Sequence, residues 1–162
     1  MSPAAPLALE PGDAHLWYVA PDKLTDPDLL AVYRSWLSPD ERQRMSRYRF
    51  DKHRHEYLAT RALVRWVLSR YAAVAPAEWQ FECNEHGRPH IRAPAVLPRL
   101  RFNLSNTQSL VACLVAEGLE IGVDVEEVDR EGETVAIADR FFSPSEVVDL
   151  RAVPPERQRA RF

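Results

Sequence analysis

Apolar residues recur along this chain with two different periods, helical before about residue 75 and alternating after it. Leu29, Leu30, Tyr33, Trp36 and Leu37 fall at i, i+1, i+4, i+7 and i+8 behind an Asp26-Pro27 start, which predicts a helix whose stripe is core. Ser38-Pro39-Asp40-Glu41 reads as a capping box with proline at the first helical position, so a second helix starts at about Pro39 and carries Arg42, Arg44 and Arg47. A third runs from about Lys52 to Tyr71, and His15 to Val19 reads as a short strand ahead of all three. Alternation then takes over. Trp79, Phe81 and Cys83 alternate with Gln80 and Glu82, Asn84-Glu85-His86-Gly87 has turn chemistry, and His90-Ile91 returns as the second arm of a hairpin. Arg101 to Asn106, Leu110 to Ala116 and Glu120 to Glu126 predict three successive strands. After Asp129 to Glu133 a short helix leads to Phe142, and Ser143-Pro144-Ser145-Glu146 repeats the earlier helix start.

Within Ile121-Gly122-Val123-Asp124-Val125-Glu126 the apolar residues point one way, and Gly122, Asp124 and Glu126 the other. Carboxylates two residues apart on one strand face stand about 6 to 7 Å apart at Cα, near enough to share one hard cation. Mg²⁺ suits such a pair, because it fills its remaining positions with water and phosphate oxygen. A half-exposed edge strand with solvated acids has the same pattern, and the hexapeptide alone leaves both readings open.

Charge is unevenly distributed. Between Glu41 and Arg70 nine basic residues face three acids, whereas Glu117 to Glu133 holds eight acids, so one region can gather phosphates and another a cation. Arg54, Arg61 and Arg65 lie at i, i+7 and i+11, within about 40° of one another on a helix, and such a stripe needs an anionic partner or water. The formal charge of -3 argues against a protein that coats nucleic acid or anionic membrane. The 162 residues suffice for a real core, 46% hydrophobic content is globular, and no stretch is apolar enough to cross a membrane. Cys83 and Cys113 sit in separate predicted strands without metal-ligand spacing, so they read as buried thiols of a reducing compartment. With no signal peptide visible before Gly12, the expected location is cytoplasmic. His53 and His55, at i and i+2 on a helix, point apart and make no metal pair; His86 and His90 flank the turn.

Four segments in order, Gly87-Arg88-Pro89, Phe102-Asn103-Leu104-Ser105-Asn106, Gly122 to Glu126 and Arg140-Phe141-Phe142-Ser143-Pro144-Ser145-Glu146, resemble the motifs of the Sfp-type 4'-phosphopantetheinyl transferases. The resemblance implies an α+β fold, a small antiparallel sheet packed with helices, as one half of a pseudo-twofold enzyme. Its expected division is a flexible lead-in over 1–13, an N-terminal half-domain over 14–133 and the helical start of the second half over 134–162. It further implies transfer of the 4'-phosphopantetheine arm of coenzyme A to a serine of an acyl or peptidyl carrier protein. Asp124 and Glu126 would hold Mg²⁺ and Glu146 would be a third catalytic acid; Arg44, Arg61, Arg88, Ser105 and Asn106 would bind coenzyme A. Asn106 stands where the family has a histidine, and Arg88 where it has a lysine. The family's Trp-x-x-Lys-Glu segment falls beyond Phe162, so the isolated chain is expected to be inactive and to self-associate through an uncovered apolar face. A non-catalytic module binding coenzyme A or a carrier protein is the alternative, and no nucleic-acid or membrane partner is expected.

Overall fold

Helix α3 (Asp51–Leu68) is the spine on which the other elements pack in the computed structural model, which describes residues 6–96, 99–127 and 135–161. Tyr57, Leu58, Ala59, Ala62, Val64, Arg65, Val67 and Leu68 are all buried, so the helix is covered on more than one side. Its N-cap residue Phe50 has no capping side chain. Arg54 instead reaches back to the Tyr48 carbonyl and pairs with Asp51 in the first turn.

A three-stranded antiparallel sheet lies against α3 in the order β1-β5-β4, from β1 (Ala14–Val19), β4 (Leu100–Asn106) and β5 (Val111–Glu117). The central strand β5 is apolar nearly throughout because it has a neighbour on both edges, and Val111, Ala112, Cys113, Val115 and Ala116 are buried. Register pairs Leu16 with Leu114, Phe102 with Val115 and Ser105 with Ala112. In β4, Leu100, Phe102 and Leu104 join the core, so Arg101, Asn103 and Ser105 occupy the other face. The hairpin of β2 (Gln80–Cys83) and β3 (Pro89–Ala93) forms its own two-stranded sheet, with Gly87 at φ 77° closing the turn where a side chain would be strained. Phe81 packs edge-on against Phe102 and joins the hairpin to the main core.

Helices α1 (Pro27–Trp36) and α2 (Pro39–Ser46) start as expected, at an Asp26 cap and at the Ser38–Glu41 capping box. The α1 stripe, however, is core only at its end, where Leu37, the residue that follows the helix, is buried. No residue of that helix is buried, Leu29 is exposed, and Leu30 and Tyr33 only flank a small second cluster around Leu37, Tyr57 and Leu58. Cys83 is also exposed rather than buried, while burial pushes the Cys113 thiol up to about 12 and leaves it inert. Leu9, within the segment expected as a lead-in, packs into the main core, and the Leu7 N–H bonds to the Arg70 carbonyl at 2.6 Å.

The chain divides into two compact units, Met1–Val125 and Glu126–Phe162. The second contains α4 (Ala138–Phe141), α5 (Pro144–Ala152) and α6 (Pro155–Arg161). The expected acidic loop over Asp129 to Glu133 lies outside the described residues. No described helix is long and apolar enough to cross a membrane.

Candidate functional site

The strand expected over Glu120 to Glu126 does not form, since no ladder runs through residues 119–127. Side chains of β4 hold the segment instead. Asn103 Oδ1 accepts the Val123 N–H at 2.8 Å and Ser105 Oγ accepts the Val125 N–H at 3.1 Å, while Arg101 pairs with Glu120 at 3.5 Å. Arg101, Asn103 and Ser105 are alternate residues on one face of β4, so Asn103 and Ser105 stand in for a neighbouring backbone at two successive N–H groups while Arg101 holds the Glu120 side chain. The predicted alternation survives although the ladder does not: Ile121, Val123 and Val125 are half-buried, and Gly122, Asp124 and Glu126 are exposed.

Asp124 is therefore presented to solvent in a defined orientation. Its Oδ1 accepts from Ser105 Oγ at 2.9 Å and from the Val125 N–H at 2.9 Å. Two of the expected site residues, Ser105 and Asp124, are thus in direct contact. Glu126 belongs to the second unit. Among the described residues there is no cluster of three or more metal-ligating side chains. An exposed carboxylate with hard oxygen donors, fixed by neutral partners, nonetheless suits Mg²⁺, which takes only one or two protein carboxylates when a phosphate supplies the rest.

Arg88 leaves the hairpin turn through Asn84, whose Oδ1 accepts the Arg88 N–H at 2.9 Å, and its guanidinium reaches Glu120 at 3.2 Å and the Ile121 carbonyl at 2.6 Å. It therefore grips the start of the Asp124 segment. Beside it a cavity of about 600 Å³ is lined by Arg88, Arg92, Arg99 and Arg101 and by Glu120, which pairs with Arg88 and Arg101. Arg92 and Arg99 were not anticipated from the sequence. Their signal would have been the three arginines at 88, 92 and 99 surrounding the second arm of a hairpin.

The helical arginines divide differently. Arg65 is 1% exposed, pairs with Glu41, donates to the Pro76 and Trp79 carbonyls and stacks over Phe81, which makes it part of the scaffold. Arg61 lies over the Tyr57 ring and 3.8 Å from Glu41. Burial pushes the Tyr57 phenol up, against the pull of Arg61. So Glu41, the acid that closes the α2 capping box, is the partner of Arg61 and Arg65, whereas Arg54 pairs with Asp51 in its own first turn. Arg44 is exposed and makes no side-chain ion pair among the described residues.

Arg44 and Arg61 line a further cavity of about 230 Å³ that also contains Asn106 and Glu56. Asn106 Nδ2 donates to Glu56 Oε1 at 2.5 Å. Of the histidines beside the turn, His86 is exposed near Glu85 and His90 pairs with Glu82. In the second unit Glu146 closes the Ser143 capping box, its Oε2 accepting the Ser143 N–H at 2.9 Å and the Ser143 hydroxyl at 2.8 Å. Those two bonds hold its carboxyl below the usual carboxylate range.

Comparison with known proteins gives one family model, described as 4'-phosphopantetheinyl transferase, N-terminal, which matches residues 25–118. The chain is 33% identical over 158 residues to the 4'-phosphopantetheinyl transferase HetI of Nostoc sp., covering 96% of this chain and 65% of that protein. It is 32% identical over 130 residues to the 4'-phosphopantetheinyl transferase Sfp of Bacillus subtilis, covering 80% of this chain and 55% of Sfp. The chain thus spans between about half and two thirds of the length of these relatives.

Proposed function

The chain belongs to the 4'-phosphopantetheinyl transferase family, and from that premise we propose that it carries the coenzyme A site of an enzyme that moves the 4'-phosphopantetheine arm to a serine of an acyl or peptidyl carrier protein. The observation that carries this reading is the tether between Ser105 and Asp124, 2.9 Å long, on a segment clamped by Arg88 and Arg101. It fixes a carboxylate on the segment whose start is held by two arginines, and a metal-bound diphosphate needs both a carboxylate for the metal and cations for its oxygens.

In this reading Asp124 and Glu126 hold Mg²⁺, which, when bound, neutralises charge on the leaving phosphate. Ser105 orients Asp124 by donating to Oδ1, and so leaves the second carboxylate oxygen for a ligand. Arg88 sits where a phosphate oxygen can replace its contacts with Glu120 and Ile121, and its planar fork suits that exchange. Arg44, exposed and in no ion pair among the described residues, lines the cavity that receives the ribose end of coenzyme A. Asn106 supplies amide hydrogen bonds without charge. Glu146 caps α5 through Oε2 alone, which orients the carboxylate and leaves Oε1 for the part of a third catalytic acid.

Titration calorimetry of the chain with coenzyme A, with and without Mg²⁺, tests this. Magnesium-dependent binding that Asp124→Ala and Arg88→Ala each weaken by roughly tenfold or more is expected. Equal binding by all three proteins, or none by the unaltered chain, would overturn the reading. Mass spectrometry of an apo carrier protein incubated with coenzyme A and the enzyme then follows the transfer itself.

A further inference from the structure

Glu56 is a carboxylate inside a cavity that otherwise suits an anion. It projects from α3 and is only 18% exposed, and both of its oxygens are engaged: Oε1 accepts from Asn106 at 2.5 Å and Oε2 lies 3.7 Å from His53 Nδ1. Arg44 and Arg61 line the same cavity of about 230 Å³. Arg61 already shares Glu41, so of the two lining arginines Arg44 is the one in no ion pair among the described residues, and Glu56 offsets its charge. The cavity between β3 and β4 is the opposite case, with four arginines around Glu120.

We propose that Glu56 is a specificity residue, which makes this chain accept coenzyme A species with a free ribose hydroxyl, in place of the phosphomonoester, at the cavity between Arg44 and Asn106. The inference rests on the coenzyme A reading above. In that reading the diphosphate lies beside Asp124, which Ser105 tethers. Asn106 is the next residue of β4 and points to the other face, so the phosphate remaining to reach the Arg44 cavity is the phosphomonoester on the ribose. A dianion there meets a carboxylate a few ångströms away in a half-buried site, where like charges repel with little screening. A hydroxyl in the same place donates a charge-assisted hydrogen bond to Glu56. Asn106 strengthens the effect, because one of its donors is committed to Glu56 and so is lost to a phosphate.

Calorimetry with coenzyme A and with its 3'-dephospho form, on the chain and its Glu56→Gln and Glu56→Asp variants, tests the proposal. Glutamine keeps the size and the acceptor for Asn106 and removes the charge. The unaltered chain and Glu56→Asp are expected to bind the dephospho form at least as tightly as coenzyme A. Glu56→Gln is expected to tighten coenzyme A about tenfold and change the dephospho form by less than about threefold. A preference of the unaltered chain for coenzyme A, or a ratio that Glu56→Gln leaves unchanged, would overturn the role of Glu56 while leaving the coenzyme A site standing. Binding of neither ligand would overturn both.

Discussion

Two Ser-Pro-x-Glu helix starts, Ser38 to Glu41 and Ser143 to Glu146, share sequence and local geometry yet differ in what their glutamates do. In each, the serine hydroxyl accepts the glutamate N–H and the glutamate accepts the serine N–H, at 2.9 Å in both. Glu146 stays exposed and does nothing further among the described residues. Glu41 lies against α3, where Arg65 is buried and Arg61 approaches, and one carboxylate serves cap and counter-ion together. A capping motif is thus a local device whose wider value depends on what the fold brings to its outer face.

The largest expected effect comes from removing that second task. Glu41→Ala leaves the Arg65 guanidinium buried without a counter-ion and is expected to cost about 3–5 kcal/mol in urea unfolding, whereas Glu146→Ala shifts the transition only slightly. An Arg65→Met exchange in the Glu41→Ala background is expected to recover most of the loss, because an apolar side chain needs no partner there. If Glu41→Ala costs no more than the loss of a cap, the counter-ion role is refuted. Arg88 sharpens the contrast from the other side. Its pair with Glu120 is exposed, so Arg88→Ala is expected to change stability by less than about 1 kcal/mol while lowering coenzyme A affinity.

Smaller still, and alike in both regions, is the cap itself. Ser38→Ala and Ser143→Ala are each expected to cost about 1 kcal/mol, read as faster amide exchange in the first turns of α2 and α5. A Ser38 loss several times that of Ser143 would mean that the serine also orients Glu41 toward Arg65. The smallest effect is in pH. The Ser143 bonds lower the Glu146 pKa from 4.5, so their contribution is present above the unfolded value and fades as pH falls through the lower folded one. A carboxyl-carbon NMR titration of Glu146 is expected to move up toward 4.5 in Ser143→Ala.

Much of this architecture was legible in advance because it is local. Proline at the first helical turn, an acid three residues behind a serine, and a glycine in a hairpin turn each act within a few residues, and those helix and turn starts stand where expected. The segment after Glu120 shows where such reasoning stops. Alternation correctly separated Asp124 from Val123 and Val125, but alternation describes an extended chain and says nothing of which groups take its N–H donors. Those acceptors, Asn103 and Ser105, lie 20 residues away. The α1 stripe was legible only in part for a related reason, since Leu37 is buried and Leu29 is not, and an amphipathic face requires cover but does not say how much it receives.

By itself the sequence determined the helix and hairpin starts, the exposed face that carries Asp124, and the motifs that mark the family, all properties of short stretches of backbone and side chain. Only the tertiary structure decided which arginine is buried with Glu41, which stays free at Arg44, and that Glu56 meets Asn106 from 50 residues away. Ion pairs and desolvation depend on distance in space, and a linear pattern of charges holds no record of it.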